Sequence, residues 1–141
     1  MAEPNLLDLI HLENTDADGA RDTVRVQLRP DLPTIHNYLR ADVLVSASFV
    51  DARLDLYLSP DDLTAWQHEL SALAPGATAL IGGDRGLNLT IHLNDDEATT
   101  IEINDPDRLY TILWIRPHDD WINDHRARIE RARRAWPAEG V

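Results

Sequence analysis

The sequence predicts an α+β protein: a curved antiparallel sheet of six to eight strands, with two helices packed on one of its faces. Three observations carry that prediction. Several segments alternate apolar and polar residues with a period of two, the pattern of a strand buried on one side only. Short links rich in Asn, Asp, Gly and Pro separate them, which favours antiparallel neighbours joined by turns. Two other segments space their apolar residues by three and four, as helices covering an apolar sheet face do.

Leu6 to Leu12 is a first short apolar run, and the acidic stretch Glu13 to Asp22 reads as a loop. Thr23 to Arg29 alternates cleanly, with Val24, Val26 and Leu28 on one face and Arg25, Gln27 and Arg29 on the other; Pro30 and Pro33 stop it. Residues 34–40 have no clear period. Asp42 to Val50 sets Val43, Val45, Ala47 and Phe49 on one face. Arg53 to Leu58 sets Leu54, Leu56 and Leu58 opposite Arg53, Asp55 and Tyr57, and Val50-Asp51-Ala52 is short enough for a hairpin link.

A helix follows. Ser59 suits an N-cap, Pro60 the first helical position, and Asp61 and Asp62 the positive end of the helix dipole. Leu63, Trp66, Leu70 and Leu73 draw its apolar stripe, and Pro75-Gly76 ends it. Strands resume near Ala79. Gly82 to Gly86 reads as a turn; Leu87, Leu89, Ile91 and Leu93 alternate with Asn88, Thr90 and His92; Ile101 and Ile103 alternate with Thr100, Glu102 and Asn104. Leu109 to Arg116 is the last strand, and residues 118–136 form a second helix opened by Pro117. Its stripe is Ile122, His125, Ile129, Ala132 and Trp136, and its last turns gather five arginines. Ala138 to Val141 is a tail. Each half thus runs strands and then a helix, a likeness that capping physics alone would produce.

The chain of 141 residues is long enough for one domain, taken as 1–141. It has no cysteine, so a disulfide scaffold, a thiolate metal site and a cysteine nucleophile are all excluded. The formal charge is −12, from 25 acids and 13 bases, and every base is Arg. A cationic surface is what phosphate backbones and anionic bilayers require, so no nucleic acid and no membrane partner is expected. A basic protein partner suits the charge. No basic start followed by an apolar run is present, which predicts a cytoplasmic protein. No motif calls for a cofactor or a metal.

The candidate site is the polar face of the sheet. Its binding residues are Arg53, Asp55, Tyr57, Tyr110, Trp114 and Arg116, alongside Arg25, Gln27, Arg29, Asn88 and Thr90. The last strand is apolar or aromatic on both sides, as a strand facing a partner is, and Trp, Tyr and Arg dominate interface hot spots. The plain alternative is that another segment covers this face. His92 and Glu102 fall on neighbouring strands and form the candidate catalytic pair, a carboxylate orienting an imidazole; a surface cross-strand pair would look the same. His118-Asp119-Asp120, with Asp124 and His125, offers metal-ligand types, but its two histidines are seven apart and helix capping explains the acids.

The stretch Arg53-Leu54-Asp55-Leu56-Tyr57-Leu58-Ser59-Pro60-Asp61-Asp62-Leu63, with Trp66 and Leu70, resembles small acidic domains of unknown function common in actinobacteria. More loosely, it resembles WapI-type immunity proteins of contact-dependent toxin systems. The order of elements agrees over about residues 40–136. The resemblance implies neutralisation of a partner by binding and supplies no catalytic residue. The expected function is a non-enzymatic acidic binding module. The alternative is a small-molecule-binding protein or a cofactor-independent acid–base enzyme of cyclase or hydratase type, with a pocket on the sheet. A homodimer through the last strand is a third expectation.

Overall fold

Two antiparallel meanders of four strands, each followed by a helix, make up the computed structural model, which describes residues 7–14, 22–82 and 86–136. The first sheet contains β1 (Leu7–Glu13), β2 (Thr23–Leu28), β3 (Leu39–Ala47) and β4 (Val50–Leu58), in that spatial order. Helix α1 (Pro60–Ser71) then leads to a second sheet of β5 (Thr78–Gly82), β6 (Asn88–Leu93), β7 (Thr99–Asp105) and β8 (Leu109–Ile115), and helix α2 (Trp121–Ala135) closes the chain. Every strand pairing is antiparallel.

The eight strands fall within the expected six to eight and both helices are present, but the single sheet is not. The break falls where the connection changes. Within each sheet consecutive strands are neighbours, whereas β4 and β5 are separated by a whole helix. Period-two alternation shows which side of a strand is buried, and two strands in different sheets can carry the same pattern. Nor do both helices lie on one sheet face: α1 packs against β5 and α2 against β1, and the two helices touch each other. Each helix thus lies chiefly against the first strand of the other sheet, with α1 keeping a smaller contact with β4.

A single apolar cluster draws on all ten elements. Val24, Val26 and Leu28, then Ala41, Val43 and Val45, then Leu54, Leu56 and Leu58 line the inner side of the first sheet, as the alternation requires. Leu89, Ile91, Ile101, Ile103, Leu113 and Ile115 do so in the second. Leu63, Trp66 and Leu70 enter from α1; Trp121, Ile129 and Ala132 enter from α2.

Local details differ from the sequence expectation where turn chemistry decides. Val50 and Asp51 belong to β4, and the hairpin turns at Ser48-Phe49, leaving Phe49 exposed at the tip instead of in a strand face. The unclear stretch 34–40 contains a tight turn: Ile35 and Tyr38 bond each other in both directions around His36 and Asn37, whose φ values are +50° and +66°. Residue 39 then begins β3. The second helix starts at Trp121 rather than 118, after a turn in which the Trp121 N–H bonds the His118 carbonyl. Gly82 has φ +118°, and a Cβ there would lie 2.5 Å from the Leu87 carbonyl oxygen, so the end of β5 requires glycine. Most of the Glu13–Asp22 loop, the centre of the Gly82–Gly86 turn, the first six residues and the Ala138–Val141 tail lie outside the described residues.

Candidate functional site

Because the polar residues lie in two sheets, the one decorated face expected from the sequence is two faces. Arg25, Gln27, Arg29, Arg53, Asp55 and Tyr57 belong to the outer side of the first sheet; Asn88, Thr90, His92, Glu102, Tyr110 and Trp114 belong to that of the second. Arg116 follows the end of β8.

Strand register orders the outer side of the second sheet into three rows. They run Thr78–His92–Thr100–Trp114, Leu80–Thr90–Glu102–Ile112 and Gly82–Asn88–Asn104–Tyr110. Tyr110, Ile112 and Trp114 therefore form one column along β8, about 14 Å long at strand spacing. Trp114 is 67% exposed and Tyr110 59%, so no described residue covers them. Acids frame the column. The turn beside Trp114 carries exposed Asp95, Asp96 and Glu97; the turn beside Tyr110 carries exposed Asp107. The bases nearby are already engaged: Arg116 Nη2 lies 3.3 Å from Asp96 Oδ2, and Arg108 bonds Asp105 at 2.8 Å and Asp55 at 2.9 Å.

His92 and Glu102 do meet on this face, with Nε2 and Oε1 3.3 Å apart. They line a shallow depression of about 390 Å³ with Asn94, Asp95 and Thr100. Their contact is an ion-pair approach without an aligned hydrogen bond.

The outer side of the first sheet is a network of Arg and Asp. Its centre, Asp42, is 1% exposed. Arg53 Nη2 lies 2.8 Å from its Oδ2, Arg29 Nη1 lies 3.4 Å from the same oxygen, and Arg40 Nε lies 3.3 Å from Oδ1. Burial opposes ionisation of Asp42, but the bond and charge of Arg53, aided by Arg40 and Arg29, hold its carboxyl below the usual range. Sequence reading passed over Asp42, because an acid at a strand's polar position carries no sign that three guanidiniums will converge on it. The only signal was the recurrence of Arg at 25, 29, 40 and 53.

A third place was also missed. A cleft of about 530 Å³ between β1 and α2 is lined by His11, Glu13, Asn14, Pro117, His118, Asp124 and Arg128. Of the His118–His125 group, His118 and Asp124 reach it. His125 is fully buried: its Nδ1 lies 2.7 Å from the Trp121 carbonyl, and its Nε2 accepts the His11 N–H at 3.1 Å. Nε2 thereby ties β1 to α2, while Nδ1 is used within the first turn of α2 itself. Burial is the main reason that the His125 pKa falls to about 4, with the charges of Arg128 and His11 adding to it. Among the described residues, no group of three or more His, Asp or Glu is arranged to hold a metal ion, and no helix is long and apolar enough to cross a membrane.

Fold and faces together define a two-sheet α+β protein of two ββββα units, each with a polar outer sheet face that carries exposed side chains among the described residues. Residues 7–137 match a family of unknown function, DUF5959, and the chain belongs to that family. No curated protein and no solved structure matches it.

Proposed function

We propose that the protein is a binding module that docks a basic protein partner through the outer side of its second sheet. The column of exposed Tyr110 and Trp114 flanking half-buried Ile112, between two acidic turns, is the observation that carries this reading. Aromatic side chains supply area with few rotors to freeze, and the surrounding carboxylates would speed encounter with a cationic surface. Neutralisation of a toxin, as in immunity-type proteins, is the form of binding that suits the overall charge of −12.

A photo-cross-linking residue at position 112, with a control at the Phe49 hairpin tip of the first sheet, tests the proposal in cells. The expected adduct is specific to position 112 and contains a protein of isoelectric point above about 9. With that purified partner, W114A combined with Y110A is expected to weaken binding roughly a hundredfold, and added salt to slow association. An acidic partner, equal adducts from both positions, or unchanged affinity in the double variant would sink the reading.

The meeting of His92 and Glu102 favours a second reading, acid–base chemistry on a small molecule in the depression they line. Paired variants separate the two: H92A and E102Q would abolish turnover under the second reading, whereas W114A with Y110A would weaken partner binding under the first and leave any turnover in place.

A further inference from the structure

We propose that the outer side of the first sheet holds an anion-binding site, between Arg25 and Arg53 over Leu44, for a carboxylate or phosphate group carried on an apolar body. The position follows from register. Arg25 pairs with Leu44, and Leu44 pairs with Arg53, so the three residues form one row across β2, β3 and β4. Two strand spacings put the arginine backbones about 10 Å apart, a span that two guanidinium side chains close over an anion between them. Half-buried Leu44 is the floor of a groove of about 420 Å³, which Thr23, Ser46 and Asp51 close on one side.

The neighbouring row prepares the donors. Asp42 has two oxygens and three guanidiniums upon them. Arg29 shares its charge with Asp31, at 2.9 Å, but Arg53 has Asp42 as its one carboxylate among the described residues. Arg53 gives Asp42 a single nitrogen, Nη2, and is 64% exposed. Arg25 gives Asp8 Nε and Nη2, at 3.3 and 2.9 Å. Nη1 of Arg25, and Nε and Nη1 of Arg53, have no protein partner among the described residues, so donors remain on both sides of Leu44. Each guanidinium is also held at one edge by a carboxylate that is itself mostly buried, Asp42 or Asp8, which lowers the entropy lost when it binds. Asp51 repels an anion from the far end of the groove, so the charged group belongs at the arginine row and the apolar body over Leu44. The site shares no residue with the second sheet's face.

Nitrogen-15 spectra of the arginine Nε–Hε groups test it, with sodium phosphate, sodium acetate, phenyl phosphate and benzoate as probes. Saturable shifts of Arg25 and Arg53 together, tighter for an aromatic probe than for its inorganic or acetate counterpart, are expected. Phenyl phosphate alone acting would identify a phosphate ester, benzoate alone a carboxylate, and either supports the site. R53Q, or R25Q if the first variant folds poorly, should weaken the better probe roughly tenfold. L44A should remove the advantage of the aromatic probes and leave phosphate and acetate as they were. Shifts that grow linearly and equally at Arg131 and Arg134 would mean adventitious ion contact only. That result, or full affinity in R53Q, overturns the proposal.

Discussion

At the scale of one residue, His125 has the clearest physical consequence. Its ring is buried and neutral, donating through Nδ1 to the Trp121 carbonyl and accepting the His11 N–H at Nε2. A proton on Nε2 would break the second bond. The folded pKa is about 4 against an ordinary 6.5, so above pH 6.5 the ring is neutral in both states and the pairing is intact. As pH falls from 6.5 to 4, only the unfolded chain gains this proton, and stability drops by about 3 kcal/mol in total. Urea unfolding at a series of pH values should show that slope. H125L should lose about 2 kcal/mol at neutral pH, because the His11 N–H is orphaned, and should flatten the pH 6.5–4 region. A slope unchanged in H125L would mean that another group causes it. The sequence placed His125 on the helix's apolar stripe, but a stripe position does not say which backbone groups of a distant strand its nitrogens will meet.

Helix α1 was legible almost whole as an element, since its information is local. Ser59 and Asp62 form the reciprocal cap: the Asp62 N–H donates to Ser59 Oγ at 3.3 Å, and the Ser59 N–H donates to Asp62 Oδ2 at 2.8 Å. Leu63, Trp66 and Leu70 are buried, as their spacing requires. S59A should cost about 1 kcal/mol in thermal or denaturant unfolding. The beginning of α2 was less legible. Asp120 stands at its N-cap but makes no side-chain cap bond, accepting instead from Asn123 Nδ2 at 2.9 Å. An acid at a helix start thus had two local uses: Asp62, at N3, completes a cap, and Asp120, at the N-cap, holds a side chain. For that reason His118-Asp119-Asp120 looked like a helix start and proved to be the turn before one.

For the whole molecule, the exchange of helices is what matters. Since α1 lies mainly on β5 and α2 on β1, each helix packs chiefly against the first strand of the other sheet. Arg108, in the turn before β8, adds a link to Asp55 of β4 at 2.9 Å, and Arg133 of α2 reaches Gln67 of α1 at 2.6 Å. Residues 1–76 and 77–141, expressed apart, should each lack a cooperative unfolding transition, and mixing them should restore one, read by circular dichroism. A cooperative transition in either fragment alone would show that the halves are independent.

Sidedness was determined by the sequence alone: Leu56 and Leu89 are buried, while Arg53 and Trp114 are exposed, because a strand's alternation depends only on its own residues. So were the two helices and the first helix cap, and the strand count to within six to eight. The tertiary structure decided which strands share a sheet, that Tyr57 and Trp114 lie on different faces, that three arginines meet at Asp42, and that His11 and His118 border one cleft. Those are relations between residues far apart in the chain. They depend on the path that the helical connections impose, and no short-range period records it.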